Sequence, residues 1–503
     1  MRKIITSALL VMFVLVGCDD LTDKNIDPNN ADEPRTDLLL TEAQRTVGAY
    51  VGSVTGTLYV QYFAETQYTD ESNYATDFFS FASGYTPTNS SNTTNLYSGA
   101  LQDLQTIIDL NNNEETRNKS YVTAGGDRQN QIAVAKIMQA YLMHTATDRW
   151  GDLPYSEALK GAENYTPAYD TQEQLYTGLI DTLDKYADQI DTDGSIVGDF
   201  LFADAGSDQL NRWVEFANTI RARMALRLTE VDADYAQTEF EAAYDDGLLE
   251  TSVMFPYLSG QNNDNPWQDR FETRTDYAIS TTMTEPMKEL DDMRLTAFAE
   301  PAANLDNGDG ETEMSEVAGL EYGLSSADAG EIENDDVSFP GSAIGYDNSS
   351  APLPIVSEAE IHFMIAEAAA RGWSVTEAAA TAYNEGITAS WNQWGVDGVS
   401  SYLTQADVAY DPANWEEQIG YEKWIALFPQ GYEAWAEWRR LGYPQLDPAN
   451  SADTDNFDEN DNPVIPVRQG YPTSEPSLNG QNYQEAVGED FHPLNTNLWW
   501  DVD

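Results

Sequence analysis

The chain has 503 residues, 41% of them hydrophobic and 11% aromatic, which excludes a disordered chain and allows a large packed body. Its 86 acidic residues against 25 basic ones give a formal net charge of −61. That field repels phosphates and anionic lipid heads and excludes nucleic acid as a partner.

The first element is a leader. Arg2 and Lys3 precede the apolar run Ile4 to Val16, and Leu15-Val16-Gly17-Cys18 follows the pattern of a bacterial lipobox. The run falls short of the about 20 apolar residues that span a bilayer, so a cleaved signal segment over residues 1–17 is expected. Cys18, the single cysteine, would then carry acyl chains and hang the mature chain from a membrane surface. No disulfide can form within one chain, so the core must hold by packing. Residues 18–36, rich in Asp, Asn and Pro, read as an extended lipidated tether.

Helical spacing begins at Leu38, with Leu39, Val47, Tyr50 and Val51 on a broad face. Residues 85–95 read as loop. Helices are predicted over Leu96–Leu110, Asn130–Thr147, Leu175–Ile190 and Arg212–Val231. Residues 259–350 read as mostly irregular, with one helix near Met283–Leu290. In Ser357–Trp394, Ser357/Glu360 and Ser374/Glu377 read as two capping boxes, with Gly372 between them. Two helices so closely joined pack antiparallel, as a tetratricopeptide-like hairpin or an ordinary one. Trp415–Tyr443 is dense in aromatic rings, interrupted at Pro429, and reads as core. The acidic stretch Asp447–Asp461 reads as a surface loop. The fold class is therefore mainly α.

Two segments combine aromatic rings with polar side chains in irregular surroundings, the composition that stacks on a sugar's C–H face and bonds its hydroxyl edges. The first holds Tyr68, Asp70, Asn73, Tyr74, Phe78, Phe79 and Tyr85. The second holds Asn265, Trp267, Asp269, Arg270, Arg274 and Tyr277. Tyr322, Phe339 and Tyr346 are weaker candidates. No cofactor is expected. Leu305–Glu316 partly follows an EF-hand loop through Asn307, Asp309, Glu311, Glu313 and Glu316 and is the candidate place for a structural calcium ion, although Leu305 stands where the first ligand belongs. His144, His362 and His492 are scattered, and H-E-x-x-H, G-x-S-x-G and P-loop motifs are absent. An enzyme is not expected. A glycoside hydrolase, which needs only two carboxylates, is the remote alternative, and an adhesive role is another.

A resemblance runs through nearly the whole mature chain. Its segments are Asn25–Asn29, Gln61–Thr66, Leu96–Leu104, Asp148–Ala158, Asn265-Pro266-Trp267, Asp292–Leu295 and Ala351–Ile355. Most specific are Lys423–Gly431 running into Glu433–Arg440, with Pro466-Val467-Arg468 and Tyr471-Pro472 closing the series. The chain resembles the SusD/RagB-like nutrient-binding outer-membrane lipoproteins of Bacteroidota. The resemblance implies one domain over residues 37–503, with about four tetratricopeptide-like hairpins overlaid by a loop-rich ligand-binding lobe. It implies a lipid-anchored protein facing the cell exterior, whose partner is a SusC-like TonB-dependent barrel. The ligand would be a glycan, or a peptide as in one branch of the family. Asp19, Asp20 and Asp23, close behind the cysteine, accord with export to the outer leaflet.

Overall fold

The computed structural model describes residues 33–75, 85–86, 95–260, 263–489 and 491–502. The leader, Cys18 and all but the end of the tether lie outside them, as do Phe78 and Phe79. None of the described helices is long and apolar enough to cross a membrane.

Helices dominate. They are α1 (Thr36–Val51), α2 (Val54–Tyr59), α3 (Gln102–Asn112), α4 (Arg128–Trp150), α5 (Gln172–Ala187), α6 (Gln209–Arg227) and α7 (Ala233–Asp246). In the second half come α8 (Pro266–Phe271), α9 (Thr281–Glu289), α10 (Glu358–Ala370), α11 (Ala379–Trp394), α12 (Trp415–Ala426) and α13 (Gly431–Leu441). Four sequential pairs pack together: α4 with α5, α6 with α7, α10 with α11, and α12 with α13. Short connections in the last three pairs favour neighbouring helices, while α4 and α5 pack together across the longer segment 151–171. This is a tetratricopeptide-like helical scaffold. Between α7 and α10 the chain is mostly irregular, as its Gly, Asn, Asp and Pro content dictates.

Local chemistry explains where helices start. Ser357 Oγ accepts from the Glu360 N–H at 3.1 Å and caps α10. The reciprocal half of the box is missing because the Glu360 carboxylate binds Arg223 at 2.7 Å. The second predicted box does not form. Helix α11 starts at Ala379 behind an Ala378 cap with no side-chain bond, because Glu241 takes the Ser374 N–H at 2.7 Å and holds that turn open. Leu38, assigned to the buried face of α1, is exposed.

The main apolar core runs from Leu40 to Trp500 and takes in rings from every helical pair, and a small second cluster of Ala64, Ala278, Leu320 and Val337 lies at the β1–β3 strands. Within the main core lies an ion network. Arg227 pairs with Glu433 and Glu437, Lys423 with Glu437 at 2.6 Å, and Arg440 with both Glu367 oxygens at 2.6 Å. Among the described residues, nine lysines and arginines are buried against eleven aspartates and glutamates. The scarce cations are thus disproportionately inside, so acids outnumber bases by a larger ratio outside the core than in the chain as a whole.

The N-terminus of α13 crosses α2 backbone to backbone. A Cβ on Gly56 would stand 2.3 Å from the Gly431 carbonyl carbon. Gly56→Ala is therefore expected to cost about 1–3 kcal/mol in a denaturant melt. A change of a few tenths would show that the two backbones can separate.

Two short ladders pin the irregular lobe to the helices. β1 (Phe63–Glu65) pairs antiparallel with β3 (Tyr277–Ile279), setting Phe63 opposite Ile279 and Glu65 opposite Tyr277. β2 (Val253–Phe255) pairs antiparallel with β4 (Leu353–Val356).

Candidate ligand-binding face

The β1–β3 ladder joins the two ring-bearing segments that the sequence singles out. Beyond its end, the Thr66 N–H donates to the Asp276 carbonyl at 2.9 Å and the Thr66 hydroxyl to the Thr275 carbonyl at 2.6 Å. The Gln67 amide donates to Asp276 Oδ1 at 2.7 Å. Residues 66–71 and 270–277 therefore form one continuous face.

Tyr68 is its most exposed ring, with 63% of its surface open. Its φ is +57°, a left-handed conformation that a bulky residue adopts only at a cost. The Asp70 N–H donates to the Tyr68 carbonyl at 2.8 Å and holds the turn. The Arg274 guanidinium lies 5.8 Å from the Tyr68 ring centre. Arg274 is itself exposed and sits 3.4 Å from Asp276. Beside this pair is a half-buried group. Arg270 lies 4.9 Å from the centre of Trp267, and its Nη1, buried, has no hydrogen-bond partner. The Tyr277 hydroxyl donates to Glu71 Oε2 at 3.4 Å. Phe271 packs on Tyr346, and Tyr346 stacks on Phe339. An open ring flanked by a guanidinium and an amide can stack on an apolar C–H face and donate to the hydroxyls at its edge.

Glu71 is pushed up to about 7, mainly by burial, with Arg270 pulling the other way. The sign follows from linkage. The folded chain holds this proton in a pH range where the unfolded chain has lost it, so the Glu71 contribution to stability falls as pH rises. Relative to Glu71→Gln, the parent chain is expected to lose stability between about pH 5 and pH 8. Parallel melting curves over that range would contradict this.

The structure turns five predicted site residues inward. Asn73 is fully buried; its amide donates to Thr69 and Leu324 carbonyls, and its Oδ1 accepts from Ser451 and Thr454 hydroxyls. Tyr74 is buried between Tyr59 and Tyr322. Tyr85 is buried against Tyr97 and Trp150, its hydroxyl 3.2 Å from that of Tyr169. Asn265 caps α8 through the Trp267 N–H at 2.8 Å and also bonds the Ile344 and Ala351 carbonyls. Trp267 is fully buried against Phe63. These side chains hold the face in place and do not present a surface to a ligand. Tyr68, Arg270 and Tyr277 remain, while Gln67 and Glu71 are additions. Only the register of β1 on β3 brings those two to the face, and no local motif announces it.

Elsewhere, the carboxylates of Leu305–Glu316 turn to their own backbone. Glu316 accepts from the Asn307 and Glu313 N–H groups at 2.8 and 2.9 Å, and Asp309 accepts from that of Glu311. His144 is buried, 3.5 Å from Asp148, and burial pushes it down to about 4, so it stays neutral. A cavity of about 440 Å³ lies between α11 and α12, bounded by Tyr383, Tyr421, Tyr443 and Glu422. Two of its polar groups are engaged: the Tyr383 hydroxyl donates to Val408, and Glu422 accepts from Tyr402 and Arg294.

Comparison with known proteins covers nearly the whole chain. The model of the SusD-like family described as "Starch-binding associating with outer membrane" matches residues 28–472. The fold is similar to a chitin-binding protein at 27% identity, covering 93% of this chain and 100% of that one, with a TM-score of 0.74. It is similar to a SusD homolog from Bacteroides uniformis at 25% identity, covering 92% and 99% of the two chains, with a TM-score of 0.71. In fold alone it is similar to a SusD homolog from Bacteroides fragilis at 21% identity, covering 93% and 100%, with a TM-score of 0.76. None of the curated proteins compared with it matches.

Proposed function

The chain belongs to the SusD-like family, and from that premise we propose that it is a surface lipoprotein that captures a glycan and delivers it to a SusC-like TonB-dependent barrel. The observation that carries this reading is the open Tyr68 ring, held in a left-handed backbone conformation beside Arg274. A buried core gains nothing from such a ring, whereas a sugar face does. Cys18 would anchor the chain to the outer membrane, facing outwards, as its lipobox implies. Binding without turnover is the proposed chemistry. The likeness to a chitin-binding protein makes chitin oligomers the first probes.

Affinity electrophoresis of the full chain in gels containing chitin derivatives, starch or neither is the test, with mixed peptides as competitors. Retardation by one glycan, without release of shorter sugars, is the expected result. Competition by peptides alone would move the ligand to the peptide branch. Hydrolysis of the glycan would overturn the binding-only reading.

A further inference from the structure

Three side chains outside the proposed ligand-binding face converge where α10 packs against α11. His362 projects from α10, Glu385 from α11, and Glu377 from the turn between them. One ligand atom from each lies within 4.8 Å of the other two, and no other such group of three occurs among the described residues. His362 Nδ1 stands 3.6 Å from Glu385 Oε2. Both His362 Nδ1 and Glu377 Oε2 are buried atoms without a hydrogen-bond partner. Two unmatched polar atoms side by side are costly in a fold that satisfies most such groups. The two carboxylates also face each other: burial raises the Glu377 carboxyl above its ordinary range, and the neighbouring Glu385 carboxyl adds to the rise.

We propose that His362, Glu377 and Glu385 form a binding site for a divalent transition ion, zinc in the first instance, that clips α10 to α11. The donor set decides the ion. An imidazole nitrogen with two carboxylate oxygens suits zinc, whereas calcium and magnesium take oxygen donors. Two carboxylates balance the double charge and relieve their mutual repulsion. Three protein ligands leave a fourth position for water. Tetrahedral coordination at about 2.0–2.1 Å draws the donors to roughly 3.4 Å apart. The Glu385 side chain, 48% exposed, can move that far and leaves the site open to solvent. The ion would tie the end of the hairpin together where the turn lacks the predicted second capping box.

The test is calorimetric titration of zinc into the full, tag-free chain after removal of metal with a chelator, in high salt to screen the diffuse acidic surface. His362→Asn and Glu385→Gln are the comparison variants, and calcium is the control ion. One zinc per chain is expected, with affinity reduced about 10–100-fold in either variant and no corresponding calcium binding. Zinc should also raise Tm in the parent chain and in neither variant. Both side chains are partly exposed, so the metal-free variants should melt like the parent. If His362→Asn fails to fold, Glu385→Gln decides alone. Equal zinc binding in all three proteins, or none in the parent, would overturn the proposal and leave His362 and Glu385 as an ordinary ion pair.

Discussion

Arg294→Ala is expected to destabilise the chain by about 3–5 kcal/mol, because it strands two carboxylates in the core. Arg294 is fully buried and donates to both oxygens of Asp292, at 2.6 to 3.1 Å, and to Glu422 at 2.8 Å. Its remaining nitrogen donates to the Ser390 hydroxyl at 3.1 Å. Asp292 and Glu422 are equally shut off from water. A single truncation therefore leaves two charges unpaired, and Tyr402 alone still serves Glu422. Neutralising those carboxylates should restore part of the loss, so the deficit against the parent chain should shrink as pH falls. Denaturant melts at several pH values check both statements. A loss below about 1 kcal/mol would mean that the carboxylates find other partners.

At the proposed ligand-binding face the largest effect is expected from Tyr68. Tyr68→Ala should weaken binding of the captured glycan about 30-fold, the ~2 kcal/mol of an anchoring ring. Tyr68→Gly should lose binding equally while keeping or raising Tm, because glycine adopts a φ of +57° without the strain that tyrosine bears there. The pair of variants separates binding from folding: if the ring were structural, the glycine variant would melt early. Calorimetry and thermal melts of the two proteins give the answer, and an unchanged Kd in both would remove Tyr68 from the site.

The helical body was legible in the sequence because apolar spacing near 3.6 residues survives in α1, α4, α6 and α10. Helix ends were less so. The Ser374/Glu377 box is locally sound, yet Glu241, far away in sequence, takes the Ser374 N–H. In Lys423–Arg440 the aromatic residues read correctly as core, but the charges between them gave no sign that Lys423, Glu437, Arg439 and Arg440 lie inside. Burial of a charge depends on a partner from another helix, which no local pattern carries. The same limit applied to the face. Composition singled out both segments that the β1–β3 ladder joins, but within them Asn73, Tyr74, Tyr85, Asn265 and Trp267 were as plausible as Tyr68 until packing turned them inward. His362, Glu377 and Glu385 match no metal motif, because the hairpin rather than a fixed spacing brings them together.

Hydrogen–deuterium exchange of the full chain, with and without a soluble chitin oligosaccharide or whichever glycan the electrophoretic screen selects, tests the central claim most directly. The account predicts slowed exchange across residues 66–71 and 270–277, the two segments that β1 and β3 join, and no change around the cavity at Tyr383 and Tyr421. Protection confined to that cavity, with residues 66–71 and 270–277 unaffected, would contradict it.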